Sequence, residues 1–116
     1  MEKEILRMLE ECKMRYHLKA LMPARPFRVA FDNGLEVKMI SLGKNELSMV
    51  EEESGQSDFT VEGSPELMNV LISGKEKLSI LSERREVEIT GSYRGLLFVE
   101  SVLTLCRLYD SDPVVI

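Results

Sequence analysis

The spacing of apolar side chains divides the first half of the chain into one helix and three strands. Over residues 2–21 apolar positions recur every three or four residues, beginning Ile5, Met8, Leu9 and Cys12, which predicts an amphipathic helix that ends before Pro23 and Pro26. From residue 27 to 50 the period is two, with turns at 32–34 and 43–45. This pattern predicts an antiparallel meander whose inward apolar residues are Phe27, Val29, Phe31, Leu35, Val37, Met39, Leu47 and Met49.

The second half predicts a strand, a helix, a second strand and a final helix. After an acidic loop at 51–57, a strand covers 58–62, and Ser64 and Pro65 begin a helix that ends at Gly74. Residues 75–85 are amphipathic without a clear period, 87–89 form a fifth strand, and the last helix runs from 91 to about 108. A strand–helix–strand unit favours parallel pairing of its two strands.

Together these elements predict one α/β (α+β) domain over residues 1–116. Its sheet has five strands, is mixed but mainly antiparallel, and is layered with helices.

The last helix carries more apolar surface than one contact with a sheet requires. From Leu96 to Tyr109 only Glu100, Ser101, Thr104 and Arg107 interrupt it, whereas a helix lying on a sheet needs an apolar stripe about 100° wide. Three interpretations fit the pattern. The helix is packed between the sheet and the N-terminal helix, it borders an apolar cavity that holds a ligand, or it forms a subunit interface.

Charge and composition narrow the set of partners. The net charge of −5 disfavours nucleic acid. Residues 1–30 nevertheless hold seven basic and four acidic side chains, which favours docking of this segment on its own acidic domain over a transient contact with an anionic membrane surface. No apolar stretch is typical of a signal peptide or a membrane span. We therefore expect a cytoplasmic protein in which Cys12 and Cys106 are buried thiols.

Catalytic and metal-binding patterns are not found in the sequence. His17 lies five residues after Cys12, about 140° around a helix, so the two do not share a face. Glu51 to Glu53 fit a solvated loop, and Gly91 to Gly95 lack the Lys-Ser/Thr of a phosphate-binding loop. We predict no enzyme activity, no metal and no cofactor.

Three segments between residues 58 and 105 resemble the sterol carrier protein type 2 family. They are the strand and acidic helix start Asp58 to Leu67, the helix end Leu71-Ile72-Ser73-Gly74-Lys75, and the strand Val87 to Ser92 that leads into the apolar helix. The order and spacing of these segments match the family over 58–105. The resemblance implies a layered α/β fold with an apolar tunnel between sheet and helices, and the binding or transfer of a lipid such as a fatty acid, acyl-CoA or sterol.

On this interpretation the tunnel is lined by side chains from the flanking helices. The candidates are Leu67, Leu71, Ile80, Leu81, Leu97, Phe98 and Val102. Arg84, Arg85 and Arg94 are candidates for pairing with a carboxylate or phosphate head group. The alternative is a module of the same fold that dimerises or binds proteins without a lipid, and a weaker alternative is a lipid-handling accessory to an enzyme on another chain.

Overall fold

The computed structural model describes residues 1–51 and 56–107, and within them five helices surround one sheet. The helices are α1 (Glu2–Met14), α2 (Tyr16–Leu21), α3 (Pro65–Ile72), α4 (Leu78–Glu83) and α5 (Tyr93–Leu105). The strands are β1 (Phe27–Asp32), β2 (Val37–Gly43), β3 (Glu46–Val50), β4 (Phe59–Glu62) and β5 (Glu88–Thr90). Of the helices in these two ranges, none has the length and hydropathy needed to cross a bilayer.

The five strands form one mixed, mainly antiparallel sheet in the order β3-β2-β1-β4-β5, which confirms the predicted sheet type. The meander is confirmed, since β2 pairs antiparallel with both β1 and β3. Its first turn is held by Asn33, whose Oδ1 accepts hydrogen bonds from the backbone N–H groups of Leu35 and Glu36 at 2.9 Å. Gly34 there has φ +91°, the left-handed region that favours glycine.

The parallel pair is β1 with β4, whereas the sequence pattern favoured β4 with β5, which pair antiparallel. The reason is the segment 75–85, whose helix α4 the sequence pattern left undefined. Two helices, α3 and α4, connect β4 to β5, so the chain returns against the direction of β4. A single crossover helix would have kept the two strands parallel.

The inward face of β2 is displaced by one residue from the predicted one. Ile40 and Leu42 are buried, Val37 is 57% exposed, and Leu35 lies in the turn at 84% exposure. The register explains the difference, because Ile40 pairs with Val29 and Leu42 with Phe27, and paired residues lie on the same face of a sheet. A shift of one residue reverses every side chain of a strand, and the run Met39-Ile40-Ser41-Leu42 offers apolar residues in both registers.

The predicted helix over 2–21 is two helices that meet at Arg15. Arg15 is extended, with φ −91° and ψ 94°. The stripe Ile5, Met8, Leu9 and Cys12 of α1 would continue at residues 15–16 and 19, but the buried residues beyond the break are Leu18 and Met22. The break therefore rotates the apolar side of α2 relative to that of α1.

The N-terminal segment docks through apolar side chains rather than through its bases. Ile5, Met8, Leu9 and Cys12 are all at or below 3% exposure. Within the described residues, Arg15 pairs only with Glu11 of the preceding helix α1, and five other bases make no ion pair: Lys3, Arg7, Lys13, Lys19 and Arg25. The expectation that the bases dock on an acidic domain is therefore wrong for these side chains.

Helices α3 and α5 begin as the sequence predicts, and α5 packs tightly on the sheet. Ser64 Oγ accepts from the N–H of Leu67 at 3.2 Å, and Ser92 Oγ accepts from that of Gly95 at 3.0 Å. A Cβ on Gly95 would lie 3.1 Å from Phe27 and from Phe59, so the glycine lets the helix approach both rings. The helix ends at Leu105, earlier than predicted, because Cys106 and Arg107 are not helical, and residue 108 lies outside the described residues.

Candidate functional site

Helix α5 presents three sides with different surroundings. Its sheet side, which includes Leu96, Val99 and Leu103, is buried in the core. A second side reaches α4 through Glu100, whose Oε2 accepts from the Ser79 hydroxyl at 2.6 Å and from the Ser79 N–H at 3.2 Å. The third side faces α2 and is only partly covered. The excess apolar surface in the sequence therefore lies on this third side.

An apolar cleft of about 320 Å³ separates α5 from α2 and the residue that follows it. We call this space the apolar cleft; it is lined by Leu18, Leu21, Met22, Leu97, Phe98, Ser101, Val102 and Leu105. Seven of these eight residues are apolar, and none is charged. The volume lies at the lower end of the range for small-molecule sites.

The rim of the apolar cleft leaves hydrocarbon in contact with water. Leu21 is 65% exposed, Leu97 is 42% exposed and Leu105 is 38% exposed. The floor is firmer, because Val102 is buried and the ring of Phe98 packs edge-on against Phe27 with centroids 5.4 Å apart. The site is thus a surface cleft with a packed aromatic ring and a buried valine at its floor and apolar side chains along its opening.

Three of the seven predicted lining residues lie in the apolar cleft: Leu97, Phe98 and Val102. The other four lie on α3 and α4. Leu71 and Leu81 are buried in the core, Leu67 packs against the core, and Ile80 is half-buried. The structure therefore divides the predicted set between the cleft and the protein core.

The wall formed by α2 was absent from the prediction. The predicted helix over 2–21 contains Leu18 and Leu21 but not Met22, and it gives none of the three a place beside α5, where the structure puts them after the break at Arg15. A signal was nevertheless present, because an apolar cluster directly before Pro23 marks the end of a helix that still has apolar surface to cover. Ser101 and Leu105 were also missed, although both lie on the same side of α5 as Leu97.

Of the three candidate head-group arginines, Arg94 lies nearest the apolar cleft along the helix. It is exposed in the first turn of α5, three and four residues before Leu97 and Phe98, so it shares their side of the helix. Arg84 lies on α4's end, 3.9 Å from Glu76 and 4.0 Å from Glu86. Arg85 follows it with φ 61°, at the turn that leads to β5.

A second space of about 300 Å³ lies between α1, α3 and the end of α5. We call this space the polar groove; it is lined by Glu4, Arg7, Met8, Asn69, Val70, Ile72, Ser73, Lys75 and Cys106. Its lining includes two bases and one acid, and within the described residues neither Arg7 nor Lys75 makes an ion pair. The Ser73-Gly74-Lys75 end of α3, one of the segments behind the family resemblance, belongs to this groove and not to the apolar cleft.

The acid in the polar groove is held in its charged form. A hydrogen bond from its own backbone N–H lowers the pKa of Glu4, and the N-terminal ammonium of Met1 lowers it further. Glu4 Oε1 is buried and makes no hydrogen bond within the described residues, but it lies 3.2 Å from that ammonium. The ion pair with the ammonium therefore compensates Oε1, and the backbone hydrogen bond and this ion pair together favour the charged carboxylate.

The described residues contain no cluster of side chains suited to hold a metal ion. No group of three or more His, Cys, Asp or Glu side chains comes together there. His17 is exposed on α2, while Cys12 is buried on α1. The two residues lie on different helices, so the predicted angle around one continuous helix does not apply to them.

Solved structures of sterol carrier proteins share this fold. The sterol carrier protein domain 2 of Helicoverpa armigera matches with a TM-score of 0.64 and 18% sequence identity, over 88% of this chain and 83% of that one. The UbiJ-SCP2 ubiquinone synthesis protein matches at 0.58 and 16% identity, over 77% and 76%. The expected sterol-carrier-like fold is confirmed by these matches.

The same fold also forms a small part of a larger enzyme. The stereoselective inverting sec-alkylsulfatase Pisa1 from Pseudomonas sp. matches at a TM-score of 0.59 and 11% identity, over 72% of this chain but 14% of that chain. No protein-family model matches the chain, and no curated protein matches it in sequence. The similarity therefore concerns the fold.

Proposed function

We propose that this protein binds the hydrocarbon part of a lipid, such as a fatty-acyl chain, in the apolar cleft between α2 and α5, without catalysing a reaction on it. The observation that carries the proposal is the lining of the apolar cleft, which holds seven apolar residues and one hydroxyl and no charge. Water in contact with such a surface is displaced at a gain of about 0.8 kcal/mol per buried methylene.

The size of the apolar cleft favours a slender ligand. Its 320 Å³ hold about ten groups the size of a water molecule. A flexible acyl chain fits such a space more easily than a rigid polycyclic nucleus. Met22 and the leucines along the rim adapt their rotamers to an irregular chain at little cost.

Arg94 supplies the polar end of the proposed site. It is exposed one turn before Leu97, so a carboxylate or phosphate emerging from the apolar cleft at this end would meet a guanidinium. The fold supports the same proposal, because the Helicoverpa armigera structure is named as a sterol carrier protein domain.

The exposed rim also supports a second candidate, in which two copies of the chain cover each other's apolar clefts. Leu21, Leu97 and Leu105 would be the contact residues. Sedimentation of the ligand-free protein over a range of concentrations separates the two functions. A dimer that dissociates when fatty acid is added would mean that the lipid and the second copy compete for the same apolar cleft. A dimer unaffected by fatty acid would favour the interaction module.

Binding is tested with a fluorescent fatty acid and the substitution Leu97→Glu. A carboxylate in the wall of the apolar cleft opposes burial of a hydrocarbon chain, so we expect the dissociation constant to rise at least about tenfold. Leu6→Glu is the matched control, because Leu6 is 48% exposed on α1 and does not line the apolar cleft, whereas Leu97 is 42% exposed. Equal binding by both variants and the unmodified protein, or no saturable binding at all, would contradict the proposal.

A further inference from the structure

The polar groove brings together two bases from distant parts of the chain. Arg7 is exposed on α1 and Lys75 is exposed just after α3, yet both line the same space of about 300 Å³. Neither makes an ion pair within the described residues, although the chain as a whole has a net charge of −5. Two cations that line one space without an acidic partner repel each other, so both stabilise an anion that lies between them.

The acid in the lining of the polar groove does not neutralise these bases. Glu4 lies three residues before Arg7 on α1, a spacing at which opposite charges on a helix can pair. Its Oε1 instead lies 3.2 Å from the Met1 ammonium, and no ion pair joins it to Arg7 or Lys75 within the described residues. The polar groove therefore has an excess of positive charge.

The end of α3 places Lys75 in the wall of the polar groove and engages two of its own last carbonyl groups. The N–H of Lys75 donates to the Val70 carbonyl at 3.1 Å and that of Gly74 to the Leu71 carbonyl at 3.0 Å, as in a Schellman motif. Gly74 has φ +80°, the left-handed conformation that this motif requires. Because these carbonyl oxygens are already engaged, the helix end opposes an anion less than an open C-terminus would.

An amide donor lies on the same wall as Lys75. Asn69 is exposed on α3 and lines the polar groove, and its side chain makes no hydrogen bond within the described residues. Ser73 lies one turn further along, but its hydroxyl already donates to the Val70 carbonyl at 3.1 Å. Guanidinium, ammonium and amide groups are the donors that commonly bind phosphate oxygen atoms. The free donors of the polar groove are therefore suited to a phosphate.

The rest of the lining has room for more than the phosphate itself. A space of 300 Å³ holds about ten groups the size of a water molecule. Met8, Val70 and Ile72 add apolar surface to the lining. An organic group attached to the phosphate therefore finds both space and apolar contacts.

We propose that the polar groove is a binding site for a phosphate monoester, whose oxygen atoms are held by Arg7 from the α1 side and by Lys75 and Asn69 from the α3 side. A phosphate monoester carries a charge of about −1.5 to −2 at pH 7, which matches the two bases. A dissolved phosphate ester and the head group of phosphatidic acid share this chemistry. The proposal does not rest on a lipid in the apolar cleft.

The test titrates the full chain with glycerol phosphate by calorimetry at constant ionic strength, with glycerol as the control that lacks the phosphate. We expect saturable binding of one glycerol phosphate per chain and no binding of glycerol. Sedimentation with phosphatidylcholine vesicles, with and without phosphatidic acid, tests the second source of the phosphate. Binding of glycerol phosphate would assign a dissolved ester, and binding of phosphatidic acid vesicles alone would assign a lipid head group.

Substitutions in the polar groove separate a site from general attraction to positive charge. Arg7→Gln and Lys75→Gln should each weaken phosphate binding about fivefold or more, because each removes a charge-assisted hydrogen bond. Lys13→Gln and Lys77→Gln are the matched controls, since both bases are exposed, make no ion pair within the described residues and do not line the polar groove. They should change binding less than about twofold. Glu4→Gln should tighten binding, because the lining then loses its acid.

Fatty-acid binding in the same variants keeps the two proposals apart. Arg7→Gln and Lys75→Gln should bind the fluorescent fatty acid like the unmodified protein, because neither residue lines the apolar cleft. Either proposal can therefore fail alone. Absence of binding to both glycerol phosphate and phosphatidic acid vesicles would overturn the phosphate site. Equal losses in the groove variants and in their matched controls would also overturn it, since overall charge alone would then attract the phosphate.

Discussion

The apolar cleft and the polar groove are nearly equal in volume, at about 320 and 300 Å³, yet they differ in almost every other property. The apolar cleft has one hydroxyl among its eight lining residues. The polar groove has two bases, one acid, an amide and a hydroxyl among nine. Volume alone therefore does not distinguish the two spaces, whereas the chemistry of their walls does, and the lipid site that we propose is the apolar one.

The two spaces have different walls because the helices turn different sides toward them. Helix α5 turns the apolar residues left over from its contact with the sheet toward α2, whose own apolar cluster lies opposite them. Helices α1 and α3 use their apolar stripes for the core, so the side chains that reach the polar groove are mostly those a surface helix carries toward solvent. The surplus apolar surface of α5 therefore leaves an apolar cleft, whereas the polar sides of α1 and α3 leave a groove lined by charged and polar side chains.

The largest effect is expected from filling each space with an indole ring. Ser101→Trp places the ring in the apolar cleft without removing any core side chain, so fluorescent fatty-acid binding should weaken more than about tenfold. Asn69→Trp fills the polar groove in the same manner and should change that binding less than about twofold. Both residues are exposed, which limits the effect on folding. The opposite order in a titration of the two variants would assign the lipid to the polar groove.

Leu97, Phe98 and Val102, which are sequence-based candidates for the tunnel that the resemblance implies, lie on the α5 wall of the apolar cleft. The sequence pattern marks this helix because it carries more apolar surface than a helix on a sheet requires. The α2 wall was not anticipated, since the extended backbone of Arg15 lies in a segment without Gly or Pro and breaks an otherwise continuous helical pattern. Nothing local in the sequence marks that break, which depends on how Leu18 and Met22 reach the core.

The polar groove could not have been predicted from the sequence. Arg7, Asn69 and Lys75 are ordinary surface residues until α1 and α3 are placed side by side. The sheet shows a similar limit, because the class and strand number were correct, while the parallel pair was assigned to the wrong strands. That assignment depended on recognising α4 within 75–85, where charged and apolar residues alternate too irregularly for a clear period.

An intermediate effect is expected from the contact that fixes α5, the helix shared by both spaces. Glu100→Ala removes the carboxylate that accepts two hydrogen bonds from Ser79, at 2.6 and 3.2 Å, and leaves the α4 N–H without that partner. We expect the free energy of unfolding to fall by about 1–3 kcal/mol in urea titrations. Glu83→Ala, at an exposed position on α4, should change it by less than about 0.5 kcal/mol. Equal losses would show that Glu100 contributes only solvated charge.

The smallest effect is expected at Glu4, and its pH dependence separates the polar groove from the apolar cleft. The pKa of this carboxyl is lower in the folded chain than in the unfolded one, so its contribution to stability is present above the unfolded value of about 4.3 and is lost as the pH falls through the folded value. Glu4→Gln should therefore destabilise the protein by less than about 1 kcal/mol at pH 7, since the side chain is 30% exposed, and by nothing measurable once the native carboxyl is protonated. Urea midpoints of the variant and of the unmodified protein at pH 7, 5, 4 and 3 measure how their stabilities converge as the pH falls. Glu10→Gln, at an exposed position, is the control. Fatty-acid binding at pH 7 should be the same for both variants, because Glu4 lines the polar groove alone, and a loss of binding in Glu4→Gln would mean that the two spaces act on one ligand.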